Sequence, residues 1–350
     1  MNIAHIQKNP IHLLVLVNIV TSSLTLIAAT IAGAPFSLWF NDTFYILLAV
    51  TCLLLVLGIV WDGSIILFGL LCESPMLRKI QVLSLYSVSS LRDKRFFTCG
   101  IEPAILIVLT VYAIVGTSNI TLINLQLLGH VTQWHDATMW MLEGHLIEWI
   151  TSLPIPVNFF DALYYSCWIN ELLAIFFLIV LGRDSKSIQK YCISLILLFY
   201  IGRFIGIFNP VMGPAFYHPE LFSYLDGSFT QKAMHYLSNV MALTAHNSID
   251  QGGILLGGIS ALPSLHVGMV FITSYWLMDA NRKTLIVTIP WFFLVWISTV
   301  VLGWHYVLDG LGGIALGIAC IFLARYLCNE NHTSVCDRRY NKVTHASSNH

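Results

Sequence analysis

Charge is what this chain has least of. Only 10% of its 350 residues are Asp, Glu, Lys or Arg, while 57% are apolar, and mean hydropathy is +0.76. That balance excludes an ordinary soluble domain, which needs more charge to cover a water-facing surface. Internal repeats and low-complexity tracts are also missing. A transporter or channel with a His/Asp proton relay is the competing class, and the missing inverted repeat counts against it. No Gly-x-Ser-Gly motif is present, which counts against an intramembrane serine protease. His218, His235 and His246 lack metal-ligand spacing, so no metal and no other cofactor is expected. The cysteines fall inside apolar stretches or at ends assigned to the reducing side, so no disulfide framework is expected. No nucleic-acid partner is expected either.

What the chain does have is long apolar runs. Residues 11–31, 44–60, 103–121, 163–181, 191–208, 264–279, 285–302 and 305–327 each approach the roughly 20 residues that cross a bilayer. The expected fold is therefore an all-α polytopic membrane protein with about eight transmembrane helices. With eight spans, Lys8, the basic group between Arg78 and Arg95, Arg183, Lys186, Lys190, Arg282, Lys283, Arg325, Arg338, Arg339 and Lys342 fall on one side, and only Arg203 and Lys232 do not. The positive-inside rule then makes both termini cytoplasmic. Residues 130–150 carry Trp134, Trp140 and Trp149 but no Lys or Arg, which reads as an amphipathic helix in the outer interface. Residues 210–262 are rich in Pro and Gly and read as an irregular outer cap.

Two short motifs carry chemistry. The first is Ser260-Ala261-Leu262-Pro263-Ser264-Leu265-His266-Val267-Gly268, and the second is Gly303-Trp304-His305-Tyr306-Val307-Leu308-Asp309-Gly310-Leu311-Gly312-Gly313. If His305 opens a helix, Asp309 lies one turn below it on the same face, where a carboxylate orients an imidazole and stabilises its charged form. Ionisable groups inside apolar helices are costly and usually functional. Ser264 at a helix start is suited either to a phosphate oxygen or to a plain N-cap. Arg203, about one and a half turns inside its span, needs a partner, either a phosphate or Glu171.

These residues resemble the signatures of the type 2 phosphatidic acid phosphatase superfamily. The Leu265 form, the His305-Tyr306 pair and Gly312-Gly313 look most like the branch of the inositol phosphorylceramide synthases. The resemblance covers roughly residues 191–325. It implies a six-helix catalytic core at residues 100–327, preceded by two added spans with a basic segment (1–99) and followed by a polar tail (328–350). It further implies His305 as nucleophile, Asp309 as its orienting carboxylate and His266 as the acid and then base. Ser264, Arg203 and Gly258 would hold the phosphate. The substrate would be a lipid phosphate or phospholipid at the outer membrane face, with transfer to an alcohol acceptor or to water. One departure bears on substrate: where the lipid phosphatases carry serine-arginine before the second motif histidine, this chain has Ser298 and Thr299. Fewer cations favour a phosphodiester or lipid-linked donor over a simple monoester.

Overall fold

The computed structural model of the protein describes residues 10–72, 101–128, 134–180, 185–242 and 260–328, and among these all regular structure is helical. In chain order the helices are α1 Pro10–Ala32, α2 Thr43–Cys72, α3 Glu102–Gly116, α4 Ser118–Leu128, α5 Asp136–Thr151, α6 Val157–Val180, α7 Ser185–Phe208, α8 Pro214–Tyr217, α9 Phe229–Met241, α10 Leu265–Ala280, α11 Leu285–Val301 and α12 Val307–Leu327. Single 3-10 segments occupy Pro219–Leu225 and Arg282–Thr284.

Seven helical segments among the described residues are long and apolar enough to cross a membrane. They are α1, α2, the α3–α4 pair read as one broken helix, α6, α7, α11 with its preceding turn, and α12. The protein is thus an all-helical polytopic membrane protein. The eighth expected span, 264–279, is corrected to the shorter α10. At 16 residues it is about 24 Å long, below the roughly 30 Å of a hydrocarbon core. Capping residues at both ends set that length: Ser264 accepts from Val267 N–H at the start, and beyond the end Asn281 caps the next turn by accepting from Lys283 N–H. α10 nevertheless runs between the same two ends as α12. Ser264 N–H donates to the Asp309 carbonyl (2.9 Å) at one end, and Asp279 pairs with Arg325 (3.8 Å) at the other.

The central helix is α7, which packs against α1, α3, α10 and α12. Two-thirds of its membrane window is buried, whereas α1 and α2 are only 22% buried and form the periphery. The break between α3 and α4 falls at Thr117, whose hydroxyl donates to the Ile114 carbonyl (2.5 Å). α5 packs against α8, α11 and the Pro219–Leu225 turn. Its exposed residues mix the apolar Met141, Leu142, Leu146 and Trp149 with the polar Thr138, His145 and Glu148, and its buried face carries Asp136 and Glu143. The buried acids give its inner face a task of its own. In the cap, residues 210–242 hold α8, a 3-10 segment and α9 as well as turns, so this part is more regular than its Pro and Gly content implied.

Glycine lets α10 and α12 meet backbone to backbone. A Cβ on Gly313 would run into the Ser264 carbonyl, and one on Gly268 would come within 2.9 Å of the Gly313 carbonyl. Neither carbonyl belongs to a flexible side chain, so the helices would have to part. Gly313→Ala should therefore lower the thermal stability of the solubilised protein by about 1–3 kcal/mol and reduce activity with it. Gly63→Ala in α2, where an added Cβ meets nothing within 4 Å, should leave both unchanged, as melting curves and turnover would show.

Candidate active site

Ser264 is the N-cap of α10, with extended backbone (φ −67°, ψ 108°). Its hydroxyl accepts from Val267 N–H at 3.4 Å and is fully buried, so it satisfies the helix start. His266 follows in the first turn, with its ring facing that of His305 at 6.1 Å between centroids.

His305 does not open a helix. It lies in the turn between α11 and α12, and α12 begins only at Val307 after the extended N-cap Tyr306 (φ −74°, ψ 161°). The expected one-face argument for His305 and Asp309 is therefore corrected, because His305 has no helical position. The pair meets through capping instead. Gly303 adopts positive φ (73°) after the last turn of α11, and the N–H groups of Trp304 and His305 both donate to the Thr299 carbonyl, at 3.0 and 3.2 Å. Asp309 then accepts from Tyr306 N–H through Oδ2 (2.8 Å), which folds the turn back on the helix start. His305 Nδ1 ends 3.5 Å from the same oxygen, in ion-pair range but longer than a hydrogen bond. Among the described residues, neither His305 Nδ1 nor Asp309 Oδ1 has a hydrogen-bond partner.

Both histidines line a cavity of about 290 Å³ that also receives Arg203, Ser260 and the aromatic side chains Tyr164, Trp168, Phe199, Tyr236 and Trp304. Arg203 is buried and donates to Thr121 Oγ1 (2.5 Å) and to the Thr117 carbonyl (3.5 Å), so the broken helix α3–α4 steadies it. Glu171 is not its partner. That carboxyl accepts from Tyr191 Oη (2.5 Å) and from the Thr273 hydroxyl, joining α6, α7 and α10. Gly258 lies outside the described residues, and Ser264 is absent from the cavity wall.

Three residues that sequence reasoning missed are acidic. Glu143 on α5 accepts from the N–H groups of Val307 (2.6 Å) and Leu308 (2.7 Å), the first two of α12. Asp136, two turns earlier on the same face, accepts from Met212 (2.9 Å) and Gly213 (3.0 Å) N–H, and from Tyr306 Oη at 3.4 Å. On α6, Asp161 takes Phe229 N–H (2.9 Å) and the Thr230 hydroxyl (2.6 Å), fixing α9 over the cavity. Burial pushes the Asp136 and Glu143 carboxyls above the usual range, with the backbone donors acting against it. The seven-residue spacing of Asp136 and Glu143 in a segment without Lys or Arg was the signal available in the sequence.

The sequence profile of the PAP2 superfamily matches residues 131–323, more than half of the chain. The chain belongs to the PAP2 superfamily. No curated protein and no solved structure matches it. The matched region takes in both histidines, Asp309, Arg203 and the α5 carboxylates, and leaves α1 to α4 outside. Membership in the PAP2 superfamily is consistent with phosphatase or phosphotransferase activity on lipids.

Because Glu143 satisfies two partly buried N–H groups at once, Glu143→Ala should cost on the order of 2 kcal/mol of stability and impair turnover by loosening the His305 turn. Glu143→Gln keeps one acceptor oxygen and should lose less of both. Thermal melts and activity on the solubilised protein would check the order.

Proposed function

We propose that this PAP2-superfamily protein is a membrane phosphotransferase or phosphatase that acts on a lipid-linked phosphate at the outer membrane face through a phosphohistidine on His305. The observation that carries this reading is the cavity: two histidines and one arginine converge in a mostly aromatic, apolar enclosure at the end of a membrane bundle. Such walls suit a substrate whose ends are apolar and whose charge is confined to one phosphate.

In this reading His305 Nε2 attacks phosphorus while Asp309, beside Nδ1, stabilises the cationic ring. The bond from phosphorus to the leaving oxygen breaks, and that oxygen takes a proton from His266. An alcohol or water then gives its proton to His266, attacks phosphorus and frees His305. Arg203 holds the phosphate oxygens with its planar fork. Gly258 completes the proposed phosphate contacts, and Ser264 supports them indirectly by capping the helix that carries His266. The Leu265, His305-Tyr306 and Gly312-Gly313 pattern, with Thr299 where an arginine would stand, supports an inositol phosphorylceramide synthase-like donor and transfer to an alcohol.

His305→Ala should abolish acid-labile phosphoenzyme and lower turnover by about 10³-fold or more. Asp309→Asn keeps an acceptor for Tyr306 N–H but loses the charge, so turnover should fall roughly 10²-fold or more while the fold persists. Arg203→Lys should cost about tenfold or more in kcat/KM with little change in melting temperature. Labelled phospholipids, incubated with and without alcohols and followed by mass spectrometry, would separate transfer from hydrolysis. Near-normal turnover by His305→Ala would eliminate the mechanism.

Orientation follows the basic residues. Arg282, Lys283 and Arg325 lie at the end of the bundle opposite the histidines, which the positive-inside rule makes cytoplasmic, as it does both termini. Cysteine introduced at the exposed Ser223, on the histidine side, should react with a membrane-impermeant reagent in intact cells, and cysteine introduced at the exposed Lys283 should react only after permeabilisation. The reverse pattern would invert the topology.

A further inference from the structure

The two histidines have different partners at the same ring atom. Nδ1 of His305 faces a carboxylate, Asp309 Oδ2, at 3.5 Å. Nδ1 of His266 faces a hydroxyl, Tyr164 Oη, at 3.3 Å. Tyr164 projects from α6, outside both histidine motifs, and its ring contacts a ring from each. It lies 4.4 Å from the His266 ring and 5.9 Å from Trp304, which it stacks on at 4° between planes, and Trp304 immediately precedes His305. Tyr164 is 6% exposed, and His266 Nδ1 is the hydrogen-bond partner of its hydroxyl among the described residues. Trp168, one turn further along α6, meets the same imidazole edge-on at 6.2 Å.

We propose that Tyr164 is the positioning residue of His266, holding Nδ1 with a neutral hydroxyl so that Nε2 meets the cavity and is free to release and regain its proton. This rests on the phosphohistidine reading above. A nucleophile that becomes a cationic phosphoimidazolium gains from a carboxylate beside Nδ1. A proton shuttle gains from a neutral partner, because a carboxylate would hold the imidazolium charged. The balance is simple. In the first step cationic His266 gives its Nε2 proton to the leaving oxygen, which has received the electron pair of the broken phosphorus–oxygen bond, while Nδ1–H stays donated to Tyr164 Oη. In the second step neutral His266 takes a proton at Nε2 from the attacking water or alcohol, and Nδ1 does not change.

The test is Tyr164→Phe, which keeps the ring stack and removes only the hydroxyl. It should be compared with the unaltered protein and with His266→Ala and His305→Ala, all in lipid nanodiscs. The substrates are two phosphodiesters with the same lipid half, one with an alkyl and one with a nitrophenyl leaving group. Nitrophenoxide departs without a proton, so Tyr164→Phe should form phosphohistidine from that substrate at the unaltered rate and then accumulate it, because the second step still needs His266. With the alkyl substrate phosphohistidine formation should slow about 10- to 100-fold, and the melting temperature should stay within about a degree. His266→Ala should show the same pattern more strongly. Equal slowing of phosphohistidine formation from both substrates would mean a general packing role and overturn the proposal, as would unchanged kinetics on both. If the unaltered protein forms no phosphohistidine, or His305→Ala still does, both this proposal and the reading beneath it fall. If those controls hold and only the Tyr164→Phe contrast is missing, this proposal alone falls.

Discussion

Carboxylates bound to backbone N–H groups hold the histidine end of this molecule together. A helix start leaves its first N–H groups without partners, and near a membrane interface water cannot be relied on to supply them. Here Glu143 takes the first two of α12, Asp309 takes that of its N-cap, Asp136 takes two from the 212–213 turn, and Asp161 takes the first of α9. Four acidic side chains thereby fix α12, the turn that bears His305, the loop leaving α7 and the helix above the cavity. Two of the four sit on α5, so this helix governs the geometry of a helix start more than 160 residues away in sequence.

That arrangement decides what remains for a substrate. The positive end of α12 is already occupied by Glu143, and that of α10 is closed by the buried Ser264 hydroxyl. A phosphate entering the cavity therefore meets side chains: His266, His305 and Arg203. Arg203 is held by hydroxyl and carbonyl oxygen from α3–α4 and lines the same cavity as the two histidines. Glu171, a second buried charged residue, serves packing of α6, α7 and α10 through Tyr191 and Thr273.

Much of the candidate site was legible because its residues are rare in their setting. In a chain with 10% charge, an aspartate one residue before a glycine in an apolar run, or a histidine after Pro263-Ser264-Leu265, stands out without any structure. The glycines around them were legible as residues but not in purpose: Gly268 and Gly313 allow the two motif-bearing segments to touch through their backbones. The reason given for the His305–Asp309 pairing did not survive, although the residues do meet, because a four-residue spacing can be bridged by a capping turn as well as by a helical face. Asp136, Glu143 and Tyr164 stayed hidden for a common reason. Each acts through a contact with a distant segment, and although the spacing of the two acids marks a shared helix face, nothing local names the partner.

Sequence alone determined that this is a helical membrane protein and roughly where its helices run, and it singled out the histidines and aspartate whose motifs resemble a family signature. Those are consequences of composition and local order: apolar runs must leave water, and short motifs are read within a dozen residues. Only the tertiary structure decided that α10 is a short helix spanning the same layer as its longer neighbours, that Arg203 faces a cavity and not Glu171, and that His266 leans on a tyrosine while His305 leans on an aspartate. Each of these depends on which side chains from separate helices arrive at one point, and in a bundle that is set by helix rotation and depth, quantities that packing fixes and that a one-dimensional pattern of apolar residues leaves open.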